Sequence, residues 1–286
     1  MIKSLYRFFP YNAHDLDALA NNYLWFSSYS DFNDPFEDLF VQNALQADLG
    51  EYNQSKVIAM YKALHKGDIP SEQVNQALTE LIVKNELREH YEQHMKNAVA
   101  MTQKELSAHI NDTKACCLVS DNIDENELAL ENKLMWSHYG SGMRGFCVEY
   151  DYSELVRSLS VASEQNVGLC PMEYQVLQKN SFIDLFIGTA ERDGSSKNLG
   201  SLVATKSLEW AYENEFRLIL KSTGNVNYFN PAAITSITYG EKMPESKLVT
   251  LLSVLKGNVG IECDVYKAYI DVESFQIKRK HHSRTV

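Results

Sequence analysis

Three clusters in the chain hold side chains that could do chemistry. The first reads Trp136-Ser137-His138-Tyr139-Gly140 and is followed by Arg144-Gly145-Phe146. His138 can act as a general base, as a hydrogen-bond donor to a ligand, or as a core histidine satisfied by a carbonyl, and the sequence leaves all three open. Ser137 lacks a Gly-x-Ser-x-Gly elbow, so a serine-hydrolase nucleophile is not expected. The second cluster, Lys206 to Arg217, places Glu213, Glu215 and Arg217 at every second position. On a strand those three would share one face. They are then either a carboxylate–guanidinium pairing along a sheet edge or a catalytic acid held toward a cleft by Arg217. Burial decides, because a buried carboxylate without a partner is too costly.

The third cluster is Leu24 to Phe36, reading Leu-Trp-Phe-Ser-Ser-Tyr-Ser-Asp-Phe-Asn-Asp-Pro-Phe. Pro35 pushes Asp34 toward an extended backbone, and Asn33 and Asp34 can satisfy turn amides with their own side chains. That structural role is complete in itself. The functional alternative is a pocket edge, with Ser27, Ser28, Asn33 and Asp34 binding hydroxyls or an amide and with Trp25, Phe32 and Phe36 as a stacking wall.

The elements that must position these groups follow from periodicity. Ser4 to Phe9 reads as a strand closed by Pro10, His14 to Asn22 as a helix, and Tyr23 to Ser28 as a strand. From Gln42 to Asp112 the texture turns helical: Val74, Leu78, Leu81 and Ile82 recur at helical spacing, and Ser71 is expected as a cap. Strands are expected at Lys114–Ser120, Gly145–Tyr150, Val167–Val176 and up to Leu220, where Phe216, Leu218 and Leu220 alternate with Glu215, Arg217 and Ile219. A short helix is expected at Lys133–Tyr139 and another at Ser181–Ala190. Ile234–Tyr239 and Ile261–Val272 are expected to close the sheet around a helix at Glu245–Leu255. The reading is a single α+β domain over residues 1–286, with a mixed, mostly antiparallel sheet core and a helical insertion over residues 42–112.

Composition narrows the function classes. A chain of 286 residues with a formal net charge of -11 does not suit a nucleic-acid surface spread over the molecule. The basic run Lys278, Arg279, Lys280, His281, His282 and Arg284 reads as a solvated tail. No apolar stretch is long enough for a membrane span, and the start lacks the apolar core of a signal peptide. Cys116, Cys117, Cys147, Cys170 and Cys263 include no Cys-x-x-Cys pair, which points to free thiols in a reducing cytoplasm. Asp31, Asp34 and Asp38 look like turn chemistry rather than a calcium loop, so no metal is expected.

Four blocks resemble the bacterial family catalogued as domain of unknown function 2971: Leu5-Tyr6-Arg7, Leu24 to Phe36, Met135 to Cys147, and Trp210 to Arg217. The resemblance spans most of the chain outside the helical segment and implies no established activity. A second likeness concerns chemistry. A strand with Arg7, a helix and a strand ending in hydroxyls is similar to the opening of ADP-ribosyltransferases, which bind NAD with an early arginine or histidine, a serine-bearing strand and a late catalytic glutamate. Glu213-x-Glu215 resembles their paired-glutamate motif, although no Ser-Thr-Ser triplet is present.

That likeness implies a site in which Arg7 and Ser27 contact NAD, Trp25 or Phe36 stacks on nicotinamide, and Asn33 and Asp34 form the pocket edge. His138 and Tyr139 would shape the pocket, and Glu215 would be catalytic beside Glu213 and His138. Its carboxylate would stabilise the oxocarbenium-like charge as nicotinamide leaves. The expectation is therefore an NAD-consuming, ADP-ribosyltransferase-like intracellular effector, in a setting such as phage defence. The alternative is a non-catalytic ligand- or protein-binding module of the same family, a sensor. A small-molecule ligand is expected in either case, with the helical insertion as a surface for a protein partner.

Overall fold

The computed structural model describes residues 2–47, 52–122, 125, 127–185, 202–221 and 224–285. In chain order the elements are β1 (Ser4–Phe9), α1 (Ala13–Asn21), β2 (Tyr23–Trp25), α2 (Pro35–Gln42), β3 (Leu45–Gln46), α3 (Gln54–Leu64), α4 (Ser71–Val83), α5 (Leu87–Asn111), β4 (Thr113–Val119), α6 (Lys133–His138) and β5 (Phe146–Asp151). They continue with α7 (Tyr152–Ser163), β6 (Gly168–Pro171), β7 (Glu173–Gln175), β8 (Asn180–Ser181), β9 (Thr205–Ser207), β10 (Glu215–Lys221), β11 (Val226–Tyr228), β12 (Ile234–Gly240), α8 (Glu245–Gly257), β13 (Asp264–Ile270) and β14 (Ile277–Arg284). Of the helix expected at Ser181–Ala190, residues 182–185 are helical, and the remainder of that expectation lies outside the described residues.

Contacts divide the chain into two compact units: Met1–Asp31 with Asp112–Met172 and Glu209–Val286, and Phe32–Asn111 with Glu173–Leu208. The helices of the 42–112 segment fall in the second unit, which also draws on the return segment after Met172. The fold class is α+β.

The first unit is built on an eight-stranded sheet ordered β14-β13-β12-β5-β1-β4-β10-β6. Its pairings are antiparallel except β12 with β13, which run parallel on either side of the α8 connection. The alternation expected in β10 is what the sheet uses. Phe216, Leu218 and Leu220 join Leu5, Cys116, Phe146 and Val148 on one face, where Leu19 of α1, Leu155 and Leu159 of α7, and Leu251 and Leu255 of α8 complete the core. Leu5, Leu155 and Leu218 are 0 % exposed. Burying each such side chain contributes on the order of 1.5–3 kcal/mol. The other face carries Tyr6, Phe8, Val119 and Cys147 against Met135 and Trp136 of α6. Phe8 and Trp136 meet edge to face at 5.2 Å.

Along three strand-forming stretches the structure departs from the expectation. The basic run from Lys278 is not a frayed tail but β14, paired with β13 from Ile277 to Arg284. A row of cations on an edge strand blunts sheet-to-sheet association. The strand expected at Tyr23–Ser28 stops at Trp25, because β2 pairs with β11 while Ser27 makes a separate two-way backbone bridge to Ala115. Val167–Val176 is two strands, β6 and β7, separated at Met172.

In the second unit α3, α4 and α5 supply the helical texture read from the sequence, with Val74 and Leu78 buried on α4. Ser71 is the first residue of α4 rather than its cap; Pro70 holds the cap position and makes no side-chain cap bond. Proline suits that point because its missing N–H would have had no helical acceptor. Two short parallel pairs, β3 with β8 and β7 with β9, join the helices. Lys206 on β9 and Glu37 on α2 form a buried ion pair at 3.3 Å.

Candidate functional site

Two of the expected ligand residues, Arg7 and Trp25, line one cavity of 340 Å³ in the first unit, together with Phe9, His14, Asp15 and Tyr23. β1 presents Arg7 between Leu5 and Phe9, on the core-facing side of the sheet. One end of the guanidinium is engaged: Nη1 donates to Cys116 Sγ at 2.6 Å and to Trp25 O at 3.4 Å. The group also lies 5.5 Å from the Phe9 ring centroid. Its Nε–Nη2 edge, the fork that grips a carboxylate or phosphate, has no partner among the described residues.

Trp25 is 48 % exposed and lines the same cavity. His14 and Asp15 of α1 complete the lining. There Asn12 and Asp15 form a capping box, with the Asn12 N–H donating to Asp15 Oδ2 at 2.8 Å and the Asp15 N–H to Asn12 Oδ1 at 3.0 Å. Burial pushes the Asp15 carboxyl up, against the lowering effect of the Asn12 and Tyr11 amides and of Arg7. Tyr23 is pushed up to about 12 by burial and by its hydrogen bond to Asp17. Burial likewise raises the Cys116 thiol, opposed by Arg7, so that sulfur is a neutral acceptor for the guanidinium.

The carboxylate cluster lies elsewhere. Glu215 and Arg217 share a face of β10 as the spacing requires, and Arg217 Nε donates to Glu215 Oε1 at 2.5 Å. Both are buried, Glu215 at 5 % and Arg217 at 1 % exposure, and the guanidinium sits 5.4 Å from the Tyr29 ring. The neighbouring Cys117 thiol is raised well above its ordinary value by burial and by Glu215. Glu213 is not on that strand. It ends a 3-10 turn over Leu208–Glu213, and Asn214 then adopts a left-handed backbone at φ 42°. Asn214 holds the break by donating from Nδ2 to Ser120 O at 2.6 Å.

The Met135–Cys147 and Trp210–Arg217 blocks do meet. The Tyr139 hydroxyl donates to Glu213 Oε1 through a short hydrogen bond. His138, exposed at the end of α6, contacts the Tyr212 hydroxyl through Nδ1 at 3.3 Å. Asn132 ties the two blocks, capping α6 with its side-chain oxygen and donating to Tyr212 O at 2.6 Å. The turn after α6 needs its glycines. A Cβ on Gly145 would lie 2.0 Å from Phe9 O, and one on Gly240 would lie 2.2 Å from Met143 O. Strand β1, the turn and the end of β12 are thus held at backbone contact.

The other sequence candidates divide. Ser27 contributes its backbone to the Ala115 bridge. Asn33, Asp34 and Phe36 belong to the second unit. Asp34 caps α2, its Oδ1 accepting from the Phe36 N–H at 2.9 Å, which is the turn role the sequence allowed. Its Oδ2 is buried without a hydrogen-bond partner among the described residues. Phe36 is 62 % exposed.

Sequence reasoning passed over His14 and Asp15, whose helical spacing gave no hint that they line the Arg7 cavity. The expectation that the chain holds no His-x-x-x-His spacing is incorrect, since His90-Tyr-Glu-Gln-His94 on α5 has it. Those rings stack 4.4 Å apart, and His90 Nδ1 is engaged by the Tyr61 hydroxyl at 2.6 Å. Among the described residues no group of three or more histidine, cysteine or acidic side chains is placed to hold a metal. Nor is any described helix long and apolar enough to cross a membrane.

Residues 135–218 match a family described as protein of unknown function (DUF2971). That span contains both blocks joined by the Tyr139–Glu213 contact. No curated protein and no solved structure matches the chain. The likeness to ADP-ribosyltransferases finds no support in these comparisons.

Proposed function

We propose that this chain is a small-molecule sensor whose ligand is an anion with a planar ring system, a nucleotide in class, taken up beside Arg7 and Trp25. The observation that carries the reading is the convergence of a half-engaged guanidinium and an exposed indole on one cavity of 340 Å³. The free edge of Arg7 suits a phosphate, and Trp25 with Tyr23 and Phe9 suits a base or nicotinamide ring. His14 on α1 adds a further hydrogen-bonding ring to the same lining. The volume sits at the low end for a ligand pocket, which favours one nucleotide unit enclosed, with any second unit of NAD extending outward.

Thermal-shift and calorimetric titration with NAD, ADP-ribose and AMP test this reading. A ligand at 100 times its Kd stabilises the fold by about 2.7 kcal/mol, a rise of several degrees in Tm. Arg7→Gln and Trp25→Ala should each reduce that rise to near zero. A flat response to all three nucleotides, or an equal response in both variants, would sink the proposal.

A second reading, NAD consumption, rests on the Tyr139–Glu213 contact beside the exposed His138. Release of nicotinamide from NAD, lost in Glu213→Gln, is the result that would favour it.

A further inference from the structure

A different cavity, 380 Å³ in volume, opens in the first unit between the end of α6, the turn after β12 and the β13–β14 hairpin. Its walls are largely carbon, from Trp136, Met143, Ile270 and Phe275. The polar atoms of the lining are already used inside the fold. Trp136 Nε1 donates to Leu130 O at 2.8 Å, Ser137 Oγ donates to Lys133 O at 2.8 Å, and the Gly142 N–H donates to Trp136 O at 3.0 Å. Lys133 and Lys242 also line the cavity, and neither ammonium has a hydrogen-bond or ion-pair partner among the described residues.

The hairpin turn is fixed by its own bonds. Asp271 accepts from the Glu273 N–H at 3.2 Å and from Ser274 Oγ at 2.7 Å, and pairs with Lys278. Phe275 is 71 % exposed and sits at φ 54°, a conformation an aromatic residue adopts only when its surroundings impose it. Its N–H donates to Asp271 O at 2.8 Å, which fixes that backbone. An apolar cavity lined also by two cations without partners among the described residues, and whose named indole and hydroxyl donors are already used, suits an amphiphilic anion.

We propose that this cavity binds a fatty-acid-like carboxylate, its headgroup between Lys133 and Lys242 and its chain against Trp136 and Phe275. Such a site is independent of the Arg7 cavity.

Calorimetric titration of the full chain with decanoate tests it, with octyl glucoside and decyltrimethylammonium as neutral and cationic chains. Decanoate should bind at one site per chain and the other two should not. The double variant Lys133→Gln/Lys242→Gln should weaken decanoate about tenfold or more, since charge-assisted hydrogen bonds are the stronger kind. Both lysines are exposed, so circular dichroism should show an unchanged fold. Phe275→Ser should weaken decanoate several-fold, and Arg7→Gln should leave it unchanged. No decanoate binding, equal binding by the neutral chain, or full affinity in the double variant would overturn the proposal. Loss of decanoate binding in Arg7→Gln would also overturn it, by locating the ligand in the other cavity.

Discussion

Arg7 and Glu215 stand on opposite faces of one sheet. The register runs Tyr6 to Val119 and Val119 to Glu215, so Glu215 shares the face of Tyr6 and not of Arg7. Arg7 instead lies beside Cys116 on the side that carries Leu218. A single pocket that uses both side chains directly would have to pass through the sheet.

The two positions should therefore act independently. Arg7→Gln is expected to abolish nucleotide-induced stabilisation, whereas Glu215→Gln should leave the Kd within about twofold, and the double variant should behave as the sum. Calorimetry well below the Tm of the weakest variant reads this directly. A strong coupling between the two substitutions would contradict the separation.

Arg217→Met should be severely destabilising, because it leaves the Glu215 carboxylate buried without the cation that Nε supplies. Breaking a buried pair from one side costs about 3–5 kcal/mol, and each kcal/mol lowers Tm by roughly 2–4 °C in a protein of this size. Glu215→Gln/Arg217→Met should recover part of the loss by removing the charge as well. A melt of the single variant within about 2 °C of the wild type would show that the pair contributes little.

Gly145→Ala should fail to fold normally, since the new methyl would sit 2.0 Å from Phe9 O, a backbone atom that cannot swing aside. Gly257→Ala is the matched control, with nothing within 4 Å of its added carbon. It ends α8 and should be neutral or slightly stabilising, because alanine has the higher helix propensity. Equal melting curves for the two variants would mean that the turn and β1 are not in the described contact.

Cys263 gives a pH dependence. Its thiol ionises near 9.0 when exposed, and burial pushes it up to about 11 in the fold. The fold favours the neutral form, so this contribution is complete below pH 9.0 and is lost as pH climbs through about 11. A shift of that size corresponds to roughly 2–3 kcal/mol. The difference in urea midpoint between wild type and Cys263→Ala should shrink from pH 8 to 11. A difference that stays constant with pH would refute it.

How much of this was legible depends on the range of the interaction. The strands β1, β4, β5 and β10 were readable because Phe216, Leu218 and Leu220, like Leu5 and Phe9, declare one face by simple alternation. The helices α4 and α5 were readable from the Val74–Leu78 spacing and the loss of glycine and proline. What failed was non-local. Nothing in the run from Glu213 to Arg217 reveals that Asn214 turns left-handed to reach Ser120, which takes Glu213 off the strand. The face of Arg7 relative to Glu215 depends on the register of β4 between them, and one residue of slip would have reversed it. The basic run after Ile277 looked like a tail because its cations suit solvent, yet an edge strand exposes the same side chains. Asp34 was read in both ways, and its Oδ1 does serve the turn.

The position of β1 has a consequence for synthesis. It sits between β5 and β4, and its nearer partner in sequence starts only at Thr113. At about 5–20 residues per second, the ribosome leaves this apolar strand without its lateral neighbours for roughly 5–20 s. β12, which flanks β5, emerges later still. Until β4 and β5 emerge, the segment from Ser4 to Phe9 is an unpaired apolar strand and an aggregation hazard, and production of this protein should depend on holdase chaperones more than its finished surface suggests.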